Sequence, residues 1–281
     1  MAKKKQVQTD DGWTVVAGSA TTPSNNDKNG NAEASNRAQQ EARPRKTVNG
    51  LTVDKLAHEF RGMQKRFNDT LCAKNLERML RLRDGLWTLD NAVCIGVGSF
   101  SIDWEHRYRS LWQFVLFLNV VEIDPSPDDG NLFSLYLLTI CEVMGKQNNH
   151  ISLYAQDPAF TPLDTEFLSS LNITPLTSTA ATHISSSSFV FAPFVDWFLL
   201  LPHFLKDKDP HLYVGNEVLR DYAAFANTRG KKDVLTECNR LGKGFLEGRE
   251  KRKVPGFDLH GGALEGLVVY WKEEGDSDEE G

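Results

Sequence analysis

Asn91-Ala-Val-Cys-Ile-Gly-Val-Gly-Ser-Phe100 is a short apolar run that ends in a glycine turn. A long helical pattern, Trp104 to Val121, follows it. Strand, glycine turn and helix in that order open a doubly wound α/β domain. Gly96 and Gly98 let the backbone turn sharply off the strand and come close to a ligand. The helix beyond aims its N-terminal amides at the same place. Ser101 stands where the third glycine of G-x-G-x-x-G belongs, so the stretch fits a ligandless βα turn equally well.

The chain on either side alternates in the same manner. Ile151–Ala155 is a second strand candidate, Ile173–Leu176 a third, Ser188–Ala192 a fourth and His211–Val214 a fifth, with a final β-type run from Leu264 to Trp271. Helical patterns lie between them, including one that starts at Pro162 with Asp164 and Glu166 in its first turn, and an apolar one from Phe198 to Phe204. Strands alternating with helices imply a Rossmann-like α/β fold. We expect a mainly parallel sheet of about five to six strands with flanking helices. Before the first strand, Val53, Leu56, Phe60, Met63 and Phe67 recur at spacings of three and four. They predict an amphipathic N-terminal helical extension with a basic outer face, continued by a second helical stretch towards Gly85. Arg229 to Lys253 holds nine basic and four acidic residues and reads as a surface helix and a basic connector.

The composition bounds the rest. The chain has 281 residues, 40% hydrophobic and 25% charged, which suits one α/β domain plus tails. The expected division is a disordered tail over 1–48, one domain over 51–271 and an acidic tail over 272–281. The first segment is polar apart from Trp13-Thr-Val-Val16, a candidate docking motif, and cannot offset its ordering entropy. The last nine residues carry six acids; the 32 acids that remain balance 32 Lys and Arg. A neutral body makes nucleic acid an unlikely partner. Ser277, inside Asp276-Ser-Asp-Glu-Glu280, is a phosphorylation candidate. Four scattered cysteines suggest reduced thiols of a cytoplasmic or nuclear protein, and no apolar run suits a signal peptide or a membrane span.

The candidate binding residues lie at strand ends. Asp157 follows the second strand, where an acid holds ribose hydroxyls in dinucleotide and S-adenosylmethionine folds. The usual interval from the glycine turn is about 20 residues; here it is much longer, and an Asp-Pro turn needs no ligand. Ser99 fits a helix cap or a polar ligand contact, and Asn216, after the fifth strand, lines the same edge. Gly96, Gly98, Ser99, Asp157 and Asn216 therefore form the candidate cofactor site, with S-adenosylmethionine or a nucleotide as candidate ligand. No G-x-S-x-G suggests a serine hydrolase, and the histidines and cysteines show no zinc-ligand spacing.

Val93-Cys-Ile-Gly-Val-Gly-Ser-Phe100, Arg109-Ser-Leu-Trp-Gln-Phe114, Tyr154-Ala-Gln-Asp-Pro-Ala-Phe-Thr161 with Asp164, Phe167–Leu171, Phe191–Pro193 and Leu212-Tyr-Val-Gly-Asn216 occur in one order. That order, over roughly Leu51 to Tyr222, resembles the Sensitivity-to-Red-Light-Reduced (SRR-like) family in a fungal-type version. Trp13–Val16 resembles a short tryptophan motif of the same family. One departure stands out. The family usually follows the fourth-strand proline with His and Cys, whereas Phe194 and Val195 follow Pro193 here. The resemblance implies a regulatory protein that acts through protein partners. The family is linked to light and circadian signalling in plants, to haem and other tetrapyrrole synthesis, and to microtubule-related phenotypes in yeast. It carries no established reaction. The alternative is a nucleotide- or S-adenosylmethionine-dependent, methyltransferase-like enzyme, because methyl transfer needs mainly positioning and leaves no acid–base signature.

Overall fold

Successive residues of the central strands bury to opposite faces of one sheet. Ala92 and Cys94 join one apolar core, and Val93 and Ile95 the other. Phe189 and Phe191 are divided from Val190 and Ala192 in the same way, and Leu212 and Val214 from Tyr213. A sheet covered on both faces needs strands apolar throughout, which is how these runs read. The computed structural model describes residues 5–8, 14–17, 46–81, 89–121, 151–178 and 180–272.

In chain order the elements are β1 (Lys5–Gln8), β2 (Thr14–Ala17), α1 (Val53–Asn68), α2 (Leu71–Arg81), β3 (Asn91–Ile95), α3 (Arg107–Val121), β4 (Ser152–Gln156), α4 (Pro162–Ser170), β5 (Thr174–Leu176), β6 (Ser188–Ala192), β7 (Leu212–Asn216), α5 (Arg229–Leu246), β8 (Arg249–Lys253) and β9 (Leu267–Lys272). A 3-10 turn, Ala180–His183, precedes β6, and a helical turn at Trp197–Leu199 continues into a π-helix at Leu200–Leu205. Within the N-terminal segment, β1 and β2 pair as an antiparallel hairpin. The expectations for the rest of that segment up to residue 45, for Gly85 and for the acidic tail with Ser277 lie outside the described residues.

The main sheet has seven strands in the order β5-β4-β3-β6-β7-β9-β8. β5, β4, β3, β6 and β7 run parallel. β9 lies antiparallel to both β7 and β8. The Rossmann-like α/β class expected from the sequence therefore holds. One strand more is present than the five to six expected, because Arg249-Glu-Lys-Arg-Lys253 is β8 and not a connector. As the edge strand it buries only Arg249 and leaves its last three residues to solvent, so charge is no obstacle to its pairing.

The helices form for local reasons and then pack. Thr52 caps α1, its Oγ1 accepting from Lys55 N at 3.3 Å. The buried stripe of α1 is Leu56, Phe60, Met63 and Phe67, as the spacing predicts. α3 is enclosed along its length: every residue from Ser110 to Val120 is buried. It lies between α1 and the sheet, with Phe114 against Phe60 on one side and Phe117 against Phe189 and Phe191 on the other. A helix enclosed on two sides is apolar all round. This clamped helix starts at Arg107, and its Ser110 packs against Gly98, which ties the glycine turn to it.

Candidate functional site

The direction of strand order reverses between β3 and β6, and open α/β sheets take ligands in the crevice at such a switch point, beyond the carboxyl ends of the strands. Gly96 (φ 70°) and Gly98 (φ 81°) both adopt the left-handed conformation there, which a side chain would strain. Gly98 also has no room for one. A Cβ at that position would lie 2.7 Å from Ser110 Oγ and 3.0 Å from the Trp104 ring.

Gly98 and Asp157, expected near each other, are brought together. Gly98 N donates to Asp157 Oδ2 at 2.7 Å, and Ala159 N donates to Oδ1 at 2.7 Å. Both carboxylate oxygens thus accept backbone amides and tie the β3 turn to the β4 turn. Gly96 N adds a third tie, donating to Gln156 O at 3.0 Å. Gln156 Oε1 accepts from Ala180 N at 3.0 Å, and Tyr154 stacks on His183 at 4.0 Å between ring centroids. The strand end is locked to the 3-10 turn by these two contacts.

Ser99 faces inward. It is fully buried, and its Oγ donates to Asp164 Oδ2 at 2.6 Å while accepting from the amides of Ser101 and Ile102. Asp164 is the organising acid that the sequence reading placed only in a helix's first turn. Fully buried, it also accepts from Phe100 N at 3.1 Å and from Thr161 N at 2.8 Å, while Asp164 N donates back to Thr161 Oγ1. Thr161-Pro-Leu-Asp164 is a capping box. That spacing was the available signal, and its long-range contact to Ser99 was not. Asn216 ends β7 and is exposed. Two strand spacings, about 10 Å, separate it from β3, so the structure does not bring it to the glycine turn. Its neighbour Gly215 is a packing glycine, since a Cβ would collide with Tyr213 Oη and with the backbone oxygen of Ala192.

Cys94, one residue from the end of β3, offers no nucleophile. Burial pushes its thiol well above the ordinary value, and the charge of Asp157 adds to the shift. Arg107 and Arg109 leave the first turn of α3 in different environments. Arg107 is buried, donating through Nε to Phe100 O at 2.5 Å and through both terminal nitrogens to Glu59, at 3.1 and 2.5 Å. Arg109 lies 3.8 Å above the ring of Phe194. Val195 is buried in the second core. A groove of about 440 Å³ lies apart from the crevice, on the outer side of α1 and α3, and includes Met63, Arg66, Tyr108 and Trp112 in its lining. Among the described residues no helix is long and apolar enough to cross a membrane.

Comparison with solved structures finds a cofactor-bound Rv0187 from MTB, at 9% identity and TM-score 0.34, and a candidate O-methyltransferase from Klebsiella pneumoniae, at 13% identity and TM-score 0.33. Each alignment covers 78% of this chain and 90% of the other. No curated protein matches the chain by sequence. Residues 63–271 match the SRR1 domain. The match takes in the glycine turn, both arginines and all seven strands of the sheet, and the chain belongs to the SRR1 domain family.

Proposed function

We propose that this SRR1-domain chain is a regulatory protein that acts through protein partners, with residues 51–271 as one Rossmann-like unit. The observation that supports it is the use of Asp157. The acid placed to hold ribose hydroxyls accepts the amides of Gly98 and Ala159 instead, so it serves as a brace between two loops. Ser99 is likewise committed to Asp164. Signalling or tetrapyrrole-related regulation is the class of role that the family resemblance implies.

A second reading has its own support. The five parallel strands, numbered from β3, run 3-2-1-4-5, and two left-handed glycines follow the first of them. That is the order of a doubly wound nucleotide-binding sheet. In this reading a methyltransferase-like enzyme holds S-adenosylmethionine or a nucleotide over Gly96, Gly98 and Asp157, with Asn216 further along the edge.

One experiment separates them. Full-length protein is tagged in its native host for partner recovery, and in parallel incubated with methyl-labelled S-adenosylmethionine and host extract. The regulatory reading expects a stoichiometric protein partner and no label transferred. Transfer that the Gly98→Val variant abolishes would overturn it in favour of the enzyme.

A further inference from the structure

We propose that the crevice between β3 and β6 binds the anionic group of a small ligand, a phosphate or a carboxylate, through Arg109. The site deepens the second reading in chemistry but does not rest on it, because anion capture needs neither methyl transfer nor Asp157.

Arg109 is unlike its neighbour in α3. Among the described residues it makes no hydrogen bond and no ion pair, and its Nε is buried without a partner. Its one contact of note is the face of Phe194. Burial lowers its pKa from the ordinary value, yet a guanidinium stays charged across the physiological range. A half-buried cation without a counter-charge is costly unless something supplies one. The guanidinium carbon lies over the Phe194 ring, and a planar guanidinium fork is the arrangement that grips a carboxylate or phosphate with two parallel hydrogen bonds.

A second, independent group points the same way. Ser110 is buried to 1% exposure, and its Oγ also has no hydrogen-bond partner. It lies against Gly98, so an unpaired hydroxyl beside the glycine turn and an unpaired guanidinium over Phe194 leave adjacent positions of α3's first turn. Phe194 follows the end of β6, which brings Arg109 across the carboxyl edge at the switch point. The chemistry gathered there is one cation and one hydroxyl, neither with a hydrogen-bond partner among the described residues. None of the acids described above faces it: Glu59 is taken by Arg107, and Asp157 and Asp164 are held by amides and by Ser99.

The test uses the intact protein and two probes at matched ionic strength, pyrophosphate and malonate. Calorimetry reads affinity, and phenylglyoxal modification mapped by mass spectrometry reads which arginine an anion shields. Saturable binding is expected for one probe, with Arg109 protected in the wild-type protein. Pyrophosphate protection assigns a phosphate ligand and malonate protection a carboxylate. Arg109→Gln should weaken that binding about tenfold or more, and Arg109→Lys should fall between, since it keeps the charge and loses the fork. Arg66→Gln, on the outer groove, should leave it unchanged. The proposal is overturned if neither probe binds saturably, or if binding occurs and Arg109 is labelled equally with and without the anion. The labelling arm needs no variant, so a misfolded Arg109→Gln cannot obscure the answer. Failure to bind S-adenosylmethionine alongside retained anion binding would remove the methyltransferase reading and leave this site standing.

Discussion

The two sides of the switch crevice are built on opposite terms. On the β4 side each acid is satisfied from within the fold. Asp157 holds two amides, and Asp164 holds two amides and a hydroxyl. Across from it, Arg109 Nε over Phe194 and Ser110 Oγ beside Gly98 have no hydrogen-bond partner among the described residues. Polar groups that complete one another make a rigid wall, whereas polar groups left incomplete in a half-dry crevice mark where an outside molecule is accommodated. One wall is architecture and the other is available for recognition.

Substitutions can break this contrast, beginning on the braced side. Asp164→Ala leaves Ser99 Oγ, Phe100 N and Thr161 N buried without their acceptor. It should cost about 4 kcal/mol of stability in a denaturant melt. A loss under about 1 kcal/mol would mean that the wall is not braced as described. Gly98→Val forces a side chain into the left-handed region and against Ser110 Oγ, for a loss of about 3 kcal/mol. Gly266→Ala shares the positive φ (80°) but meets no atom within 4 Å, and should cost only about 1 kcal/mol; equal losses would show that crowding at Gly98 is unimportant. The finest comparison is between the two arginines. Arg107→Gln breaks a buried pair with Glu59 and should cost about 2 kcal/mol. Arg109→Gln removes an unpaired charge and should change the melting midpoint by no more than about 0.5 kcal/mol equivalent. Equal effects would show that both arginines serve the fold alone.

The sequence makes the sheet readable because its signal is local. Ala92–Ile95 and Phe189–Ala192 are apolar at every position, as a strand with both faces covered requires. β8 was not readable, since Arg249–Lys253 carries the charge of a surface segment and pairs only because β9 lies beside it. Of the site, the glycines and Asp157 were legible as residues that belong at a strand's carboxyl end. What they do there was not. Asp157 and Gly98 are 59 positions apart, Ser99 and Asp164 65, and no periodicity encodes a hydrogen bond across such a separation. Arg109 could be seen as a basic residue in a helix, but the absence of a counter-charge is a property of the surroundings and not of any pattern.

The position of β9 also governs the order in which the sheet can be completed. Among the described residues β8 has only β9 as a sheet neighbour, and β9 comes later in the chain. During synthesis, β5, β4, β3, β6 and β7 can assemble as each helix arrives, but β7 then waits with an open edge until residues 267–272 leave the ribosome. An open apolar edge in a nascent chain invites pairing with another molecule. The basic residues of β8, which emerges during that interval, make it a poor strand for β7 to recruit before β9 arrives.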